Sequence, residues 1–380
     1  VLASSRCCLR HCGGPAAARG PRRAPDHARR CAHPPAPAAH RSATMPPKMM
    51  MLDVEDVDTD ASVSMTWSID QNGTMRHRRT GMKVSPDEGI SFRGRDYKLS
   101  PQDIELEEEG RCGAGACGVV MRGTIKETGE RVAVKTIKVD DKAKRDSLLR
   151  EVTGLTASQG CQNLVQWYAG FVNKKTHAVH VVLEFMDLGS LADLKRRMGG
   201  AGVPPHMLSC IGVQVMSGLA HLHQHHILHR DIKPENILHN SEGVVKLSDF
   251  GIVKDLDATL AMAGTFVGTV TYMSPERCWG NAYDLGSDIW SVGMVFFELA
   301  TGQYPFADIS SFPVLFEHLC EKPEPRLDPG RFPVPLCDFV GSCLTRDVAV
   351  RADTQQLTGH AFLQNPASIE ELAAFLATLS

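Results

Sequence analysis

The stretch that decides the fold is His229-Arg230-Asp231-Ile232-Lys233-Pro234-Glu235-Asn236, and Asp249-Phe250-Gly251 begins 18 positions after Asp231. Two carboxylates and one amide at these spacings suit two chemical tasks. Asp249 and Asn236 offer the oxygen ligands that Mg²⁺ prefers, so they are candidates for holding Mg²⁺ on phosphates. Asp231 can accept a proton from a substrate hydroxyl, while Lys233 neutralises charge on a transferring phosphoryl group.

A glycine-rich loop precedes this stretch, in which Gly113, Gly115 and Gly118 have the G-x-G-x-x-G spacing. The residues that follow are rich in valine, as far as Val132-Ala133-Val134-Lys135. This pattern predicts a strand hairpin, whereas a dinucleotide-binding fold would lead into a helix. A glycine loop inside a strand pair can cover the phosphates of a nucleotide with its backbone N–H groups. The chain has no G-x-x-x-x-G-K-[ST] pattern, which excludes a P-loop NTPase.

Lys135 lies inside this apolar strand pattern, where a lysine is costly unless an anion neutralises it. A surface lysine that covers apolar residues with its stem is the alternative. Further on, Leu148, Leu149, Val152 and Leu155 form one stripe of a predicted helix. Glu151 lies in the same helix, so we expect it to pair with Lys135 and to orient the amine toward the phosphates.

The chain carries five motifs in this order: the glycine loop, the V-A-V-K strand, the helix glutamate, H-R-D-x-K-P-E-N and D-F-G. In this combination it resembles the eukaryotic protein kinases. The resemblance covers residues 103–363 and implies a bilobed α+β fold. It implies a β-rich N-lobe with one main helix (103–183), a hinge (184–187) and a mostly helical C-lobe (188–363). The implied reaction is phosphoryl transfer from MgATP to protein hydroxyls.

The resemblance also assigns site residues. Asp231, Lys233 and Lys135 are the implied catalytic residues, and Asn236 and Asp249 the implied metal ligands. Glu276, in Ser274-Pro275-Glu276, is expected to form a buried structural ion pair with Arg351. The residues assigned to ATP are Gly113, Ala114, Gly115, Ala116, Cys117, Gly118, Val120, Ala133, Lys135, Glu151, Leu183, Glu184 and Met186.

A finer resemblance is to the MAP kinase kinases, carried by Thr265-Phe266-Val267-Gly268-Thr269 and by Tyr272-Met273-Ser274-Pro275-Glu276-Arg277. Ala261 stands where the animal-type pair of phosphorylation sites needs a hydroxyl, whereas Thr259 and Thr265 have the plant-type spacing. The K-P-E-N form also departs from the K-P-S-N form common in this group. The resemblance implies activation at Thr259 and Thr265 by an upstream MAP kinase kinase kinase.

The implied substrate is a MAP kinase, phosphorylated on Thr and Tyr of its activation loop. Another serine/threonine kinase, for example one higher in the same cascade, is an alternative within the same enzyme class. A pseudokinase scaffold that only binds partners is the alternative outside it. The complete set of Lys135, Glu151, Asp231, Asn236 and Asp249 argues against the scaffold.

The first 44 residues contain eight arginines and one acid, for a net charge of +7. They offer only Val1, Leu2 and Leu9 as aliphatic side chains larger than alanine, so they cannot form a core. We expect a translated leader before a start at Met45. A disordered basic arm is one alternative, and an arginine-rich transit peptide is another, although its six prolines disfavour a helix.

Residues 45–102 are expected to form an unstructured regulatory or docking tail. An acidic stretch at 53–60 precedes Arg76-His77-Arg78-Arg79 and Met82-Lys83-Val84. Basic residues followed by an apolar pair can lie in an acidic groove of a partner, and kinases of this group carry docking motifs at this place. A solvated linker is the alternative. Residues 364–380 are expected to form an amphipathic helix, which a capping box at Ser368–Glu371 opens.

Composition limits the other classes of protein to which this chain could belong. No apolar run approaches the roughly 18 to 20 residues that span a bilayer, and a net charge of −3 does not indicate a nucleic-acid binder. Twelve cysteines without C-x-x-C spacing are typical of reduced thiols, so we expect a cytoplasmic or nuclear protein. His221, His223, His225 and His226 cluster without a completing ligand, so we expect helix-end and surface positions for them.

Overall fold

A small antiparallel sheet begins the described part of the chain. The computed structural model describes residues 67–379, except 87, 93–94, 98, 116–117, 140–141, 158, 174–177, 250–270, 282–283 and 310. The strands of this sheet pair in sequence order, each antiparallel to the next. They are β1 (Trp67–Ile69), β2 (Met75–His77), β3 (Lys83–Ser85), β4 (Gly89–Phe92) and β5 (Arg95–Tyr97).

This sheet differs from the unstructured tail expected over residues 45–102. Its strands have only three or four residues, too few for a period of two to be recognised in the sequence. Met82 and Val84, the apolar pair of the docking-like motif, are 0% exposed. A partner therefore cannot bind these side chains while the sheet is folded. Among the described side chains of the sheet, Trp67, Met75, Ile90 and Phe92 are also buried.

A second five-stranded sheet carries the glycine loop and Lys135. Its order is β6-β7-β8-β10-β9, and neighbouring strands are antiparallel. Lys135 on β8 lies opposite Val120 on β7 and Val181 on β10. The strands are β6 (Ile104–Gly115), β7 (Gly118–Ile125), β8 (Arg131–Lys138), β9 (Trp167–Asn173) and β10 (Ala178–Glu184).

Helix α1 (Lys142–Ala157) accompanies this sheet and contacts β8. Leu148, Val152 and Leu155 are buried, as their spacing of four and three residues along one helix face predicts. Arg145 donates from Nη1 to the Val139 carbonyl at 3.1 Å, which fixes the start of the helix to the end of β8.

The rest of the described chain is mostly helical. Its centre is an apolar helix, Leu285–Thr301, in which 13 residues are buried. A short hairpin of β11 (Ile237–His239) and β12 (Val245–Leu247) follows the catalytic stretch. The helices are α2 (Leu191–Arg197), α3 (Pro205–Gln224), α4 (Pro275–Cys278), α5 (Leu285–Thr301), α6 (Phe312–Cys320), α7 (Val334–Cys343), α8 (Thr354–Thr358) and α9 (Ile369–Ala377).

The bilobed α+β fold predicted from the sequence is confirmed, with a strand-rich first lobe and a helical second lobe. The C-terminal helix expected over 364–380 forms at α9, where Ser368 closes a capping box with Glu371 and Leu372 and Leu376 are buried. This helix packs on α3. Within the described ranges, no helix has the length and apolarity needed to cross a membrane.

Candidate active site

The loop between α3 and β11 holds Asp231 between a cation and an amide. Lys233 Nζ lies 2.8 Å from Asp231 Oδ2, and Asn236 Nδ2 donates to the same oxygen at 2.9 Å. Asn236 Nδ2 also donates to the Asp231 backbone carbonyl at 2.8 Å. The turn Pro234–Asn236 is a short 3₁₀ helix that bends the chain back far enough for this contact. The geometry therefore fixes the direction in which the Asp231 carboxylate points.

Asn236 and the residue before Asp249 are joined directly. Ser248 donates to the Asn236 carbonyl from its N–H at 2.9 Å and from its hydroxyl at 3.1 Å. Asp249 then takes the left-handed conformation, with φ of +56°. Such a backbone is costly for a residue other than glycine, and this kind of strain clusters at functional sites. The two metal ligands predicted from the sequence are thus brought to one place.

These two residues fit Mg²⁺. The side-chain nitrogen Nδ2 of Asn236 donates the two hydrogen bonds to Asp231 described above. Its side-chain oxygen Oδ1 is therefore the atom that can bind a cation. Asp249 adds a carboxylate. Across the described ranges, no cluster of three or more His, Cys, Asp or Glu side chains could hold a metal. A site with one carboxylate and one amide suits Mg²⁺, which usually keeps waters and binds substrate phosphates as well.

Lys135 is 3% exposed, and its Nζ lies 2.6 Å from Asp249 Oδ1. Asp249 therefore provides an anion that the buried amine requires, which excludes the alternative of a surface lysine. The ion pair also links the first lobe to the residue expected to hold the metal. Glu151 lies in α1, but its side chain is outside the described residues, so its pairing with Lys135 stays a prediction.

The glycine loop joins β6 and β7 as a hairpin, as predicted. Gly113 lies opposite Val120, and Gly115 lies opposite Gly118. Gly118 has φ of +134°, and a Cβ there would lie 2.0 Å from the Thr136 carbonyl oxygen, so no other residue fits without a backbone shift. Among the residues assigned to ATP, Ala116 and Cys117 lie outside the described residues, and Ala114 lies opposite Val119.

The remaining residues assigned to ATP lie where the two lobes join. Ala133 and Leu183 are paired across β8 and β10, and Met186 is buried just after β10. Glu184, which the sequence assigned to ATP, also has partners within the protein. Its carboxylate forms an ion pair with Lys246 at 2.8 Å, and its N–H donates to the Gln166 carbonyl. The side chain of Glu184 thus makes a structural ion pair, and its assignment to ATP stays a prediction.

Asp288 on α5 holds the backbone of the loop that carries Asp231, which we call the catalytic loop. The sequence did not indicate this role. Its Oδ2 accepts from the His229 N–H at 2.8 Å, and its Oδ1 accepts from the Arg230 N–H at 2.9 Å. Arg230 has φ of +70°, so these bonds hold the residue before Asp231 in a strained conformation. Burial lowers the pKa of His229, which favours its neutral form.

His223 corrects the expectation for the histidine cluster. His225 and His226 are exposed and His221 is half-buried, as helix-end and surface positions predict. His223 is instead buried, and its Nε2 lies 3.1 Å from Asp288 Oδ2. It occupies the inner face of α3 near the helix end, and its bond helps to orient the carboxylate that anchors the catalytic loop.

The predicted ion pair of Glu276 and Arg351 is present in bidentate form. The two guanidinium nitrogens lie 2.8 and 2.9 Å from the two carboxylate oxygens. Burial alone would raise the pKa of Glu276, but the hydrogen bonds and charge of Arg351 hold it below its usual value. Ser287 at the start of α5 donates to the same carboxylate. This pair thus attaches α4 to α5 and to the segment before α8.

Two half-buried tyrosines hold the chain just before α4. The hydroxyl of Tyr272 donates to Glu298 Oε2 at 2.5 Å, and Lys195 forms an ion pair with the other oxygen of Glu298. Ser291 donates to the Tyr272 carbonyl at 2.8 Å, and Tyr304 donates to the Thr271 carbonyl at 2.5 Å. Burial raises the pKa of Tyr272, so its hydroxyl stays a donor. These contacts fix the position of the segment just before α4. Thr259, Thr265 and Thr269 lie outside the described residues.

Known proteins match this chain over most of its length. Residues 106–363 match the protein kinase domain. Mitogen-activated protein kinase kinase 2 of Arabidopsis thaliana is 37% identical over 305 residues, covering 77% of this chain and 82% of that protein. Mitogen-activated protein kinase kinase SIPKK of Nicotiana tabacum is 38% identical over 305 residues, covering 77% and 84%. The dual specificity protein kinase FUZ7 of Mycosarcoma maydis is 30% identical over 357 residues, covering 75% and 80%.

The fold, the loop around Asp231 and the Lys135–Asp249 pair define an enzyme that transfers phosphoryl groups to proteins. The chain belongs to the protein kinases and, within them, to the MAP kinase kinase family. Membership of the protein kinase family implies the use of ATP and a divalent metal ion.

Proposed function

We propose that this kinase phosphorylates Thr and Tyr in the activation loop of a MAP kinase. The observation that carries the proposal is the Asp231 carboxylate, held by Lys233 and Asn236, with Asn236 bonded to Ser248 directly before Asp249. Names of the relatives support the substrate class, because they describe MAP kinase kinases and a dual specificity kinase. The ATP-bound metal would supply charge neutralisation on the phosphates when present.

Each residue then has a distinct task. Asp231 accepts the proton of the substrate hydroxyl, and Lys233 neutralises charge on the transferring group. Asn236 and Asp249 would hold Mg²⁺, and Lys135 orients the nucleotide phosphates. Glu151 on α1 is expected to pair with Lys135 and keep it in place. Backbone N–H groups of the loop from Gly113 to Gly118 cover the phosphates.

We also propose that phosphorylation of Thr259 and Thr265 by an upstream MAP kinase kinase kinase activates the enzyme. A phosphate carries a charge of about −1.5 to −2 and can form charge-assisted hydrogen bonds with an arginine. Arg230 directly precedes Asp231, so a phosphate on Thr265 that reaches it would order the segment beside the catalytic carboxylate. The hydroxyl of Thr269 is instead expected to bond Asp231 and Lys233 within the site.

The test uses the full chain after treatment with an active upstream kinase. Asp231→Asn should bind ATP with normal affinity and lose at least about a hundredfold in kcat, because the proton acceptor is gone. Asp249→Asn should fail to use MgATP. The matched control is Asp308→Asn, which makes the same change at an exposed aspartate and should behave as the wild type. Near-normal turnover in both site variants would leave a binding scaffold as the better description.

A further inference from the structure

Among the described residues, the sheet of β1 to β5 contacts strand β9 and helix α1 of the kinase. The first contact is with β9, against which β3, β4 and β5 pack. Ile90 on β4 lies over Gly170 on β9, where an added Cβ would be only 2.4 Å from Ile90 Cδ1. An alanine at position 170 would therefore force the Ile90 side chain to move. The sheet is therefore attached to the edge strand of the first lobe by packed apolar side chains.

The second contact is polar and reaches helix α1. Trp67 on β1 donates from Nε1 to Asp146 Oδ1 at 3.1 Å, across 79 positions of the sequence. The indole is 9% exposed, and its ring lies 4.9 Å from that of His77 on β2. His77 is held in turn by Thr80, whose hydroxyl lies 2.9 Å from Nδ1. The small sheet thus fixes the direction in which the indole donates.

Helix α1 receives this bond at a place that matters for the active site. Asp146 precedes Glu151 by five residues, about 7.5 Å along a helix. The neighbouring Arg145 is bonded to the end of β8. The first half of α1 is therefore held by two polar contacts, one to the strand that carries Lys135 and one to the small sheet.

We propose that the sheet formed by residues 67–97 is a brace that positions α1 for catalysis, and that Trp67 and Asp146 are its positioning residues. The proposal rests on the role of Glu151 in keeping Lys135 in place. When Trp67 is hydrogen-bonded to Asp146, α1 stays close enough to β8 for Glu151 to pair with Lys135. Without the bond, α1 moves more freely and Lys135 loses its alignment with the nucleotide.

Three variants separate this role from simple folding. Trp67→Phe removes the N–H donor but keeps an aromatic ring against His77. Asp146→Ala removes the acceptor, whereas Asp146→Asn keeps an acceptor oxygen and should restore most of the activity. Asp308→Ala is the matched control on the surface of the second lobe. The measurements are kcat and KM for ATP, melting temperature, and hydrogen exchange of α1 and α5 amides in the full chain.

Trp67→Phe and Asp146→Ala should each lower kcat/KM for ATP about tenfold, because a hydrogen bond to a charged group carries enough free energy for a change of that size. The double variant should be no worse than either single variant, since both remove the same bond. Exchange should accelerate in α1 and stay unchanged in α5.

Two results would overturn the proposal: both single variants within twofold of the wild type with unchanged α1 exchange, or Asp146→Asn as impaired as Asp146→Ala. Glu151→Ala shows which idea has failed. If Glu151→Ala is impaired and the brace variants are not, the brace alone is wrong. If Glu151→Ala is itself fully active, the proposed role of Glu151 is wrong, and the brace fails with it.

Discussion

Replacing Asp288 by asparagine should destabilise the protein and impair catalysis together, although the side chain is fully buried below the active site. Its Oδ2 accepts from the His229 N–H and lies within bonding distance of His223, while its Oδ1 accepts from Arg230. An asparagine has one acceptor oxygen. The best compromise places that oxygen where Oδ2 was, so that the Arg230 N–H faces an amide NH₂.

The cost follows from this geometry. A hydrogen bond to a charged group contributes about 1.5–3 kcal/mol, and a buried donor left without an acceptor costs a similar amount. We expect Asp288→Asn to lose about 2–3 kcal/mol of unfolding free energy, which lowers the melting temperature by roughly 4–8 °C. Arg230 would also lose the bond that holds its strained backbone at φ of +70°. Asp231 would then shift, and a misplacement of about 1 Å can cost about a hundredfold in rate.

The assay combines thermal unfolding with steady-state turnover on the same preparation. Asp308→Asn makes the same chemical change at an exposed position and should stay within about 0.5 kcal/mol of the wild type. If Asp288→Asn melts within 1 °C of the wild type and keeps its kcat (to about twofold), then the three bonds do not support the catalytic loop as described.

Three further predictions follow from other parts of the structure. Gly170→Ala should cost about 1–3 kcal/mol in a thermal melt because its Cβ would meet Ile90 Cδ1, and Ile90→Val, which removes that methyl group, should restore part of the loss. The pKa of Glu276 is lowered in the folded state, so the stability that its charge contributes is present above pH of about 4.5 and lost as pH falls further. The difference in melting temperature between wild type and Glu276→Gln should therefore shrink on acidification. A difference that grows would contradict the ion pair. Thr259→Ala combined with Thr265→Ala should give a folded, ATP-binding protein that an upstream kinase does not activate, and full activation would place the switch elsewhere.

The catalytic loop could be predicted from the sequence because its chemistry is local. Lys233 and Asn236 lie two and five positions from Asp231, so a short turn is enough to bring them to one carboxylate. The pairing of Lys135 with Asp249 is a long-range contact, but the residue types and their order indicated a common site. The bidentate pair of Glu276 and Arg351 was predicted in the same way and is confirmed.

What the sequence did not show depends on tertiary packing. The role of Asp288 was missed, because nothing near it in the chain indicates that it accepts bonds from residues about 60 positions away. The strands of residues 67–97 were missed because each is too short to show an alternating pattern. Strands β3, β4 and β5 pack against β9, a contact that no local pattern can reveal.

The most direct test of the central claim is to identify the residues that this kinase phosphorylates. The full chain, activated by an upstream kinase, is incubated with MgATP and a catalytically inactive MAP kinase, and the new phosphates are located by mass spectrometry. We predict phosphate on both the Thr and the Tyr of the MAP kinase activation loop, and none with Asp231→Asn. Phosphate on serine or threonine elsewhere, with the activation-loop tyrosine unmodified, would contradict the assignment as a MAP kinase kinase.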